Sequence, residues 1–223
     1  MICSIHQPNY IPYLWLFHKI NESDIFVFYD NAQYTKWDYH NRNKIKWPNW
    51  DILLTIPVQV SLWQKINEVN FNNKILKKHL KTLEQSYKKS EHFEEIIILL
   101  KSLFSYEWNS ISEFNIKFIK EISNYLGIKT KFCILSELDF NLNSSSTDAL
   151  VNICKIVWAD EYISWAWWKN YIEEEKFLNN WIKLRFQEFE HPIYEQLWWD
   201  FISYMSIIDL LFNEWKKSIN FLN

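Results

Sequence analysis

ICSIHQPNYIPYLWLFHKINESDIFVFY, residues 2–29, consists of a short apolar run, a loop rich in Pro and Tyr, an apolar helical run and a second apolar run. We predict strands at Ile2–Ile5 and Asp24–Tyr29, separated by a loop over Gln7–Pro12 and a helix that ends near Ile20. The second strand is continuously apolar, which is typical of a strand buried on both faces of a parallel sheet. Two strands that flank one helix within about thirty residues indicate a βαβ unit.

The rest of the chain continues this alternation of strands and helices. Further strands are predicted at residues 52–60, 130–135, 161–164 and 182–187, and shorter helices at 149–157, after Ser164 and at 207–212. Residues 30–48 are predicted as a polar loop, and residues 73–127 as helical because their apolar positions recur at helix spacing. We therefore predict a single α/β domain over residues 1–223, with a mainly parallel, Rossmann-like sheet and a helical insertion at about 73–127.

Composition restricts the class of protein. A formal net charge of −3 gives no electrostatic basis for nucleic acid as a partner. No apolar span is long enough to cross a membrane, and Met1–His6 lacks the basic start of a signal peptide, so we expect a cytoplasmic protein with no transmembrane segment. Cys3, Cys133 and Cys154 are widely spaced in apolar surroundings and are expected to be reduced core residues.

Tryptophan and glycine occur in an inverted ratio, with 14 Trp and 1 Gly in 223 residues. An average glycine content of about 7% would give about 16 glycines. Gly127 ends a helical run, where a left-handed residue is common, and Trp158, Trp181 and Trp215 stand in similar places. Trp50 completes a Pro-Asn turn in which glycine is expected.

We hypothesise that many of these tryptophans are glycine codons translated as tryptophan, since some bacteria read UGA as glycine. The alternative is a truly Trp-rich protein with aromatic platforms for sugar or single-stranded nucleic acid. Trp198 is compatible with a true tryptophan, because only one small residue is needed at positions 198 and 199, and glycine in place of Trp199 would provide it. We call the chain with tryptophan at all 14 positions the literal chain. In it we expect Trp165, Trp167, Trp168 and Trp181 to be exposed or crowded in turns, some with positive φ. Their rings should create an apparent aromatic pocket around the Ser164 loop.

Polar residues directly follow the first predicted strand and precede the first helix. They are His6, Gln7, Asn9 and Tyr10. Open α/β sheets bind ligands at the carboxyl ends of their strands, and helix N-termini favour anions such as phosphate. These residues therefore form a candidate binding loop, and the alternative is a His that is satisfied inside a loop stiffened by proline.

A second polar group follows the next strand and is expected beside the first loop at the same sheet edge. Its candidate residues are Asp30, Gln33, Tyr34, Asn41, Arg42, Asn43 and Lys44. The cationic and amide side chains of residues 41–44 suit a phosphate or a carboxylate, and a solvated loop is the alternative.

Two later segments add candidate residues. In the loop after the 161–164 strand they are Ser164, Trp165, Trp167, Trp168 and Tyr171. With glycine at its tryptophans this loop would expose backbone amides to a ligand, although its spacing matches neither a Walker loop nor the dinucleotide fingerprint. Nearer the C-terminus stand His191, Tyr194 and Asp209, and His191 could act with His6 as an acid/base pair. The His and acid spacing matches no metal site, so none is predicted.

These segments, in this order, resemble the WbqC-like family of bacterial proteins, often encoded among genes for O-antigen and related surface polysaccharides. The similarity runs essentially from end to end, with matching residues at 5–12, 17, 19–20, 24–28 through to 33–34, 41–45, 54–58, 162–164, 189, 191–192, 194, 206 and 209–213. Trp15, Trp165 and Trp215 occupy positions where the family pattern has glycine. This supports the recoding hypothesis independently of composition.

The resemblance implies a transferase of polysaccharide biosynthesis that adds glycine or a related acyl group to an amino sugar. The implied partner is a small molecule, a sugar nucleotide or a lipid-linked sugar. The first strand, loop and helix are also similar to HUP-type nucleotidyltransferases, in which a His contacts nucleotide phosphates, and this implies a nucleotide such as ATP. The alternative is a non-catalytic carbohydrate-binding or scaffold protein of the same pathway.

The same resemblance implies roles for the candidate residues. His6 and Arg42 would stabilise phosphate charge, and the Ser164 loop would cradle the phosphate. The acceptor would be oriented by three residues of the second polar group, namely Asp30, Gln33 and Tyr34.

Overall fold

The computed structural model describes residues 1–138, 146–198 and 200–222. Its strands are β1 (Ile2–His6), β2 (Ile25–Phe28), β3 (Arg42–Trp47), β4 (Trp50–Thr55), β5 (Lys131–Ile134), β6 (Glu161–Ser164) and β7 (Lys183–Phe186). Its α-helices are α1 (Leu14–Asn21), α2 (Lys74–Tyr87), α3 (Phe93–Phe104), α4 (Ile111–Leu126), α5 (Ser146–Ile156), α6 (Glu174–Leu178) and α7 (Ile207–Glu214). Short 3-10 turns connect several of these elements.

Five parallel strands form the main sheet in the order β5-β2-β1-β6-β7. The chain moves outward from β1 through β2 to β5 on one side, and then continues on the other side through β6 to β7. The direction of the strand order therefore reverses between β1 and β6, which pair through Cys3 and Tyr162. The predicted α/β fold with a parallel, Rossmann-like sheet is confirmed. In such sheets, the crevice at the carboxyl ends of the strands flanking this reversal is the usual ligand site.

Successive side chains of the central strands enter two different cores. Phe26 and Phe28 pack into the larger core, which contains residues of α1, α2, α3, α4 and α7. Val27, together with Cys3 and Ile5 of β1, packs into the smaller core beneath α5 and α6. This alternation follows from the period of two along a strand. Helices therefore cover both faces of the sheet, as the apolar runs of β1 and β2 require.

A two-stranded antiparallel sheet, β3 and β4, lies apart from the parallel sheet. The prediction of a polar loop over residues 30–48 is wrong for its last part, because β3 occupies Arg42–Trp47. Asn43 and Lys46 are buried beside Ile45, so polar residues concealed the strand in the sequence. The strand predicted at residues 52–60 is β4, which starts earlier and ends at Thr55.

The region predicted as helical contains α2, α3 and α4. Ser110 begins α4 by accepting a hydrogen bond from the Glu113 backbone N–H. Gly127 ends it at φ 79°, and its N–H donates to the carbonyl of Asn124. This is the left-handed helix end that glycine adopts without steric cost.

Candidate functional site

A cavity of about 440 Å³ opens where β1 and β6 end. We call it the switch-point cavity, because it lies at the reversal of the strand order. Its lining residues are Ile5, His6, Gln7, Asn9, Tyr13, Trp15, Lys19, Tyr29, Thr35, Asp38, Tyr39, Leu150, Tyr162, Ser164, Trp165 and Trp168. Six of the residues predicted from sequence are thus brought together here, namely His6, Gln7, Asn9, Ser164, Trp165 and Trp168.

His6 is held as a neutral imidazole at this cavity. Its Nδ1 lies 2.7 Å from the carbonyl oxygen of Gln7 and must donate to it. The neutral ring therefore carries its lone pair on Nε2. Burial, together with the positive charge of Lys19, lowers the pKa of His6 to about 3. In this form His6 supplies a hydrogen-bond acceptor and no positive charge.

Lys19 supplies the positive charge of the switch-point cavity. Its side chain is only 1% exposed, and its Nζ donates to the carbonyl of Ile5 at 3.2 Å and lies 5.9 Å from the Tyr162 ring centroid. Burial lowers the pKa of Lys19 to about 8. Among the described residues, no carboxylate lies within ion-pair distance of it. Lys19 was not predicted from sequence, although a lysine within the apolar helix LWLFHKI was a signal for it.

Two indole rings and one unpaired amide oxygen complete the inner wall. Trp15 and Trp165 stack with ring centroids 3.9 Å apart, and the His6 ring meets them edge-on at 4.9 and 5.9 Å. Asn9 is 6% exposed, and its Oδ1 has no hydrogen-bond partner among the described residues. The predicted aromatic pocket around the Ser164 loop is confirmed.

A second cavity, of about 500 Å³, lies beside the β3–β4 hairpin. We call it the hairpin cavity; four residues predicted for a single site, Gln33, Tyr34, Asn41 and Arg42, line it instead. The Arg42 guanidinium lies 5.0 Å from the Trp37 ring centroid, and its Nε donates to Asn41 Oδ1 at 3.3 Å. The segment over residues 33–42 separates the two cavities, since its Thr35, Asp38 and Tyr39 line the switch-point cavity.

Four other predicted residues make contacts that fix the loops around these cavities. The Asp30 carboxylate accepts from the Ser136 backbone N–H at 3.0 Å and from Asn67 Nδ2 at 3.2 Å. Asn43 Nδ2 donates to the carbonyls of Tyr10 and Ile11, whereas Lys44 pairs with Asp51 at 2.9 Å. The Tyr10 hydroxyl bonds to His79 Nδ1 at 2.7 Å. Their direct role in ligand binding stays a prediction.

The predicted C-terminal residues lie in a separate buried cluster. The Asp209 carboxylate, in the first turn of α7, accepts from the hydroxyls of Tyr87 and Tyr194, each at 2.8 Å, and from Gln196 Nε2 at 2.9 Å. His191 Nδ1 donates to the Pro192 carbonyl, and its Nε2 accepts from the Tyr204 N–H at 3.0 Å. Neither His191 nor Asp209 lines the switch-point cavity, so an acid/base pair of His191 with His6 finds no support in this arrangement.

Several tryptophans of the literal chain have positive φ or exposed side chains. Eight non-glycine residues among those described have positive φ, and six of these are Trp37, Trp63, Trp158, Trp181, Trp198 and Trp215. Around the Ser164 loop, Trp167 and Tyr171 are 80% and 77% exposed, and Trp168 is 44% exposed. The expected exposure is therefore confirmed for Trp167, Trp168 and Trp181, and the expected positive φ is found at Trp181.

Comparison with known proteins gives one family and one relative. The model of the "WbqC-like protein family" matches residues 7–221. The "Uncharacterized protein Rv1507c" of Mycobacterium tuberculosis is 34% identical over 224 residues, which cover 98% of this chain and 96% of that protein. No solved structure matches the chain. Within the described ranges, none of the helices combines the length and apolar character needed to span a bilayer.

Proposed function

Because the chain belongs to the WbqC-like protein family, we propose that it is a transferase of bacterial surface-polysaccharide biosynthesis. In this proposal it adds glycine or a small acyl group to the amine of a sugar, after nucleotide-dependent activation of the carboxylate. Family membership is consistent with a role associated with a polysaccharide pathway. The observation that carries the proposal is the buried ammonium of Lys19, which has no carboxylate partner among the described residues, beside the neutral imidazole of His6 in the switch-point cavity.

Lys19 and His6 would take complementary parts in this reaction. The Lys19 ammonium, already removed from water, would neutralise a carboxylate or phosphate without reorganisation of solvent. His6 Nε2 would accept a hydrogen bond from the attacking amine and orient its lone pair toward the acyl carbon. In the activation step, the carboxylate would displace pyrophosphate from the nucleotide and form a mixed acyl-phosphate anhydride. The amine nitrogen would then bond to the acyl carbon as the bond from that carbon to the phosphate oxygen breaks, and the nucleoside monophosphate would leave with the amine proton.

The hairpin cavity offers a place for the sugar acceptor. Arg42 and Lys36 line it, and both are cations suited to the phosphate of a sugar nucleotide or a lipid-linked sugar. Because the segment over residues 33–42 lies between the two cavities, an acceptor held by Arg42 could reach the switch-point cavity across this segment. Gln33 and Tyr34 keep the acceptor-orienting role predicted for them, on the hairpin side.

Replacement of His6 by Ala in the bacterium that carries the gene tests the transferase directly. We expect the polysaccharide to lose one substituent while its chain remains intact. His92→Ala is the matched control, because His92 lies outside both cavities and should leave the polysaccharide unchanged. An unchanged polysaccharide in the His6→Ala strain would refute an essential role. Absence of any thermal shift with nucleotides would count against the activation step.

A non-catalytic carbohydrate-binding protein of the same pathway is the second candidate. Tyr13 and Tyr39 favour it, since both line the switch-point cavity and meet edge-to-face at 5.1 Å. Aromatic rings at a cavity wall suit the apolar face of a sugar. Under this alternative, His6→Ala would change polysaccharide length or amount and leave every substituent in place.

A further inference from the structure

We propose that the natural chain carries glycine at positions 15 and 165, and that the space now filled by their indole rings is an oxyanion-binding site facing Lys19 and Asn9. The ligand group is a phosphate or a carboxylate with an N–H or O–H donor next to it. The position of the site is inferred from the structure, whereas glycine at positions 15 and 165 also rests on the resemblance to the WbqC-like family pattern. Only the link to the transferred substrate rests on the proposed function.

Backbone geometry first shows that tryptophan stands where glycine is favoured. Six tryptophans have φ between 48° and 79°, and the chain's one glycine has φ 79°. An L-residue is sterically strained in the left-handed region, whereas glycine adopts it freely. At Trp158 and Trp181 side-chain packing does not offset this strain, because the two side chains are 86% and 91% exposed. A replacement of glycine by tryptophan throughout the chain explains this pattern.

Trp15 and Trp165 belong to the same replacement for a different reason. Neither has positive φ, but Trp15 is the second residue of α1 and Trp165 directly follows β6. These are the two strand-to-helix connections that flank the reversal of the strand order. Glycine at such connections lets a ligand approach the backbone closely. In the literal chain, the stacked indoles close this approach.

The groups around the indoles form an unfinished polar site. Lys19 Nζ has the Ile5 carbonyl as its hydrogen-bond acceptor and no carboxylate partner in the described ranges. Asn9 Oδ1 is buried and has no hydrogen-bond donor among the described residues, and His6 Nε2 carries a lone pair. Buried polar groups are normally paired, so a cation beside two acceptors calls for a ligand. An oxyanion would satisfy Lys19, and a neighbouring N–H or O–H would satisfy Asn9 and His6.

Opening of the site can be observed without any activity. Removal of both rings returns water to the imidazole, so the pKa of His6 should rise from about 3 toward its ordinary value of about 6.5. An NMR titration of labelled histidine would measure this change in the Trp15→Gly/Trp165→Gly variant. The matched control is Trp158→Gly/Trp181→Gly, which also replaces two tryptophans by glycine but leaves the cavity wall unchanged.

Calorimetric titration of the same proteins tests the oxyanion. The probes are inorganic pyrophosphate, acetate and glycine, which separate a phosphate from a carboxylate and from a carboxylate with an adjacent amine. We expect at least tenfold tighter binding of one probe to Trp15→Gly/Trp165→Gly than to the literal chain or the control. Lys19→Met in the opened background should abolish this gain. The single variant Trp165→Gly, in a loop, provides a smaller opening if the double variant does not fold.

Three results would overturn the proposal. One is equal binding by the opened and control variants, another is an unchanged pKa of His6 after opening, and the third is UGG at codons 15 and 165 of the gene. If probe binding depends on Lys19 but His6→Ala leaves the polysaccharide unchanged, the oxyanion site is supported and the transferase function is contradicted. If His6→Ala removes a substituent but no probe binds, the transferase function is supported and the oxyanion site is contradicted.

Discussion

The switch-point cavity and the Asp209 cluster each bury a side chain of a type that is ordinarily charged at neutral pH, Lys19 and Asp209, but the two side chains differ in their hydrogen-bond partners. Asp209 receives three donors from Tyr87, Tyr194 and Gln196, and this satisfies its carboxylate within the chain. Lys19 has one backbone carbonyl and no carboxylate within the described residues. The Asp209 carboxylate is therefore satisfied within the fold, whereas we propose that a ligand completes the surroundings of the Lys19 ammonium.

The largest effect should follow from breaking the satisfied cluster. Asp209→Ala leaves two tyrosine hydroxyls and one glutamine amide without their buried acceptor. We expect a loss of about 3–5 kcal/mol in the free energy of unfolding, measured by urea denaturation. Asp209→Asn keeps one acceptor oxygen and should lose less. A loss below about 1 kcal/mol in the Ala variant would show that the cluster does not stabilise the fold.

Replacement of Lys19 should stabilise the folded protein, whereas replacement of Asp209 should destabilise it. Burial places the pKa of Lys19 near 8 in the folded protein, below its ordinary value of about 10.5, so protonation favours the unfolded chain. Lys19→Met should raise the free energy of unfolding by about 1–3 kcal/mol at pH 7. This gain should disappear above about pH 10.5, where the lysine is neutral in both states. A destabilised Met variant at pH 7 would contradict the comparison.

His6 should make stability depend on pH on the acid side. The pKa of His6 is about 3 in the folded protein and ordinarily about 6.5, so the unfolded chain binds a proton at this residue at a higher pH than the folded protein does. The contribution of neutral His6 to the free energy of unfolding is therefore present above pH 6.5 and is lost as pH falls toward 3. Between pH 7 and pH 5, the parent protein should lose about 1–2 kcal/mol more than His6→Gln does. Urea denaturation of both proteins at the two pH values measures this difference. Equal losses would mean that His6 is solvated in the folded protein.

The smallest effects should come from the exposed, strained tryptophans. Trp158→Gly and Trp181→Gly relieve positive φ and remove side chains that make little contact, so each should stabilise the chain by about 1 kcal/mol. Trp108→Gly is the control, because Trp108 is buried and its Nε1 donates to the Leu103 carbonyl at 3.0 Å. That variant should lose at least about 3 kcal/mol. Destabilisation in all three would contradict the recoding of positions 158 and 181.

The sequence predicted the parallel sheet well because its strands are short apolar runs that are buried on both faces. It did not reveal β3, since Asn43 and Lys46 are polar residues that become buried only through partners far away in the chain, such as Tyr10 and Tyr87. Because of this hairpin, Arg42 lines the hairpin cavity and not the switch-point cavity. The residues predicted for a single site therefore line two cavities.

The candidate site shows the same division between local and long-range information. His6, Asn9 and Ser164 could be placed together, because strand ends share an edge in a parallel sheet. Lys19 was missed, since a lysine near the end of a helix is ordinarily solvated. Asp209 gave no sign of its cluster, because its partner Tyr87 lies 122 residues away.

An NMR titration of ATP into the Trp15→Gly/Trp165→Gly protein tests most directly whether Lys19 marks a ligand site. With labelled lysine and histidine, we expect saturable shifts of the Lys19 and His6 side-chain signals, and loss of the His6 shift in the Lys19→Met background. Shifts that are confined to the hairpin cavity around Arg42, or an unchanged spectrum at saturating nucleotide, would contradict it.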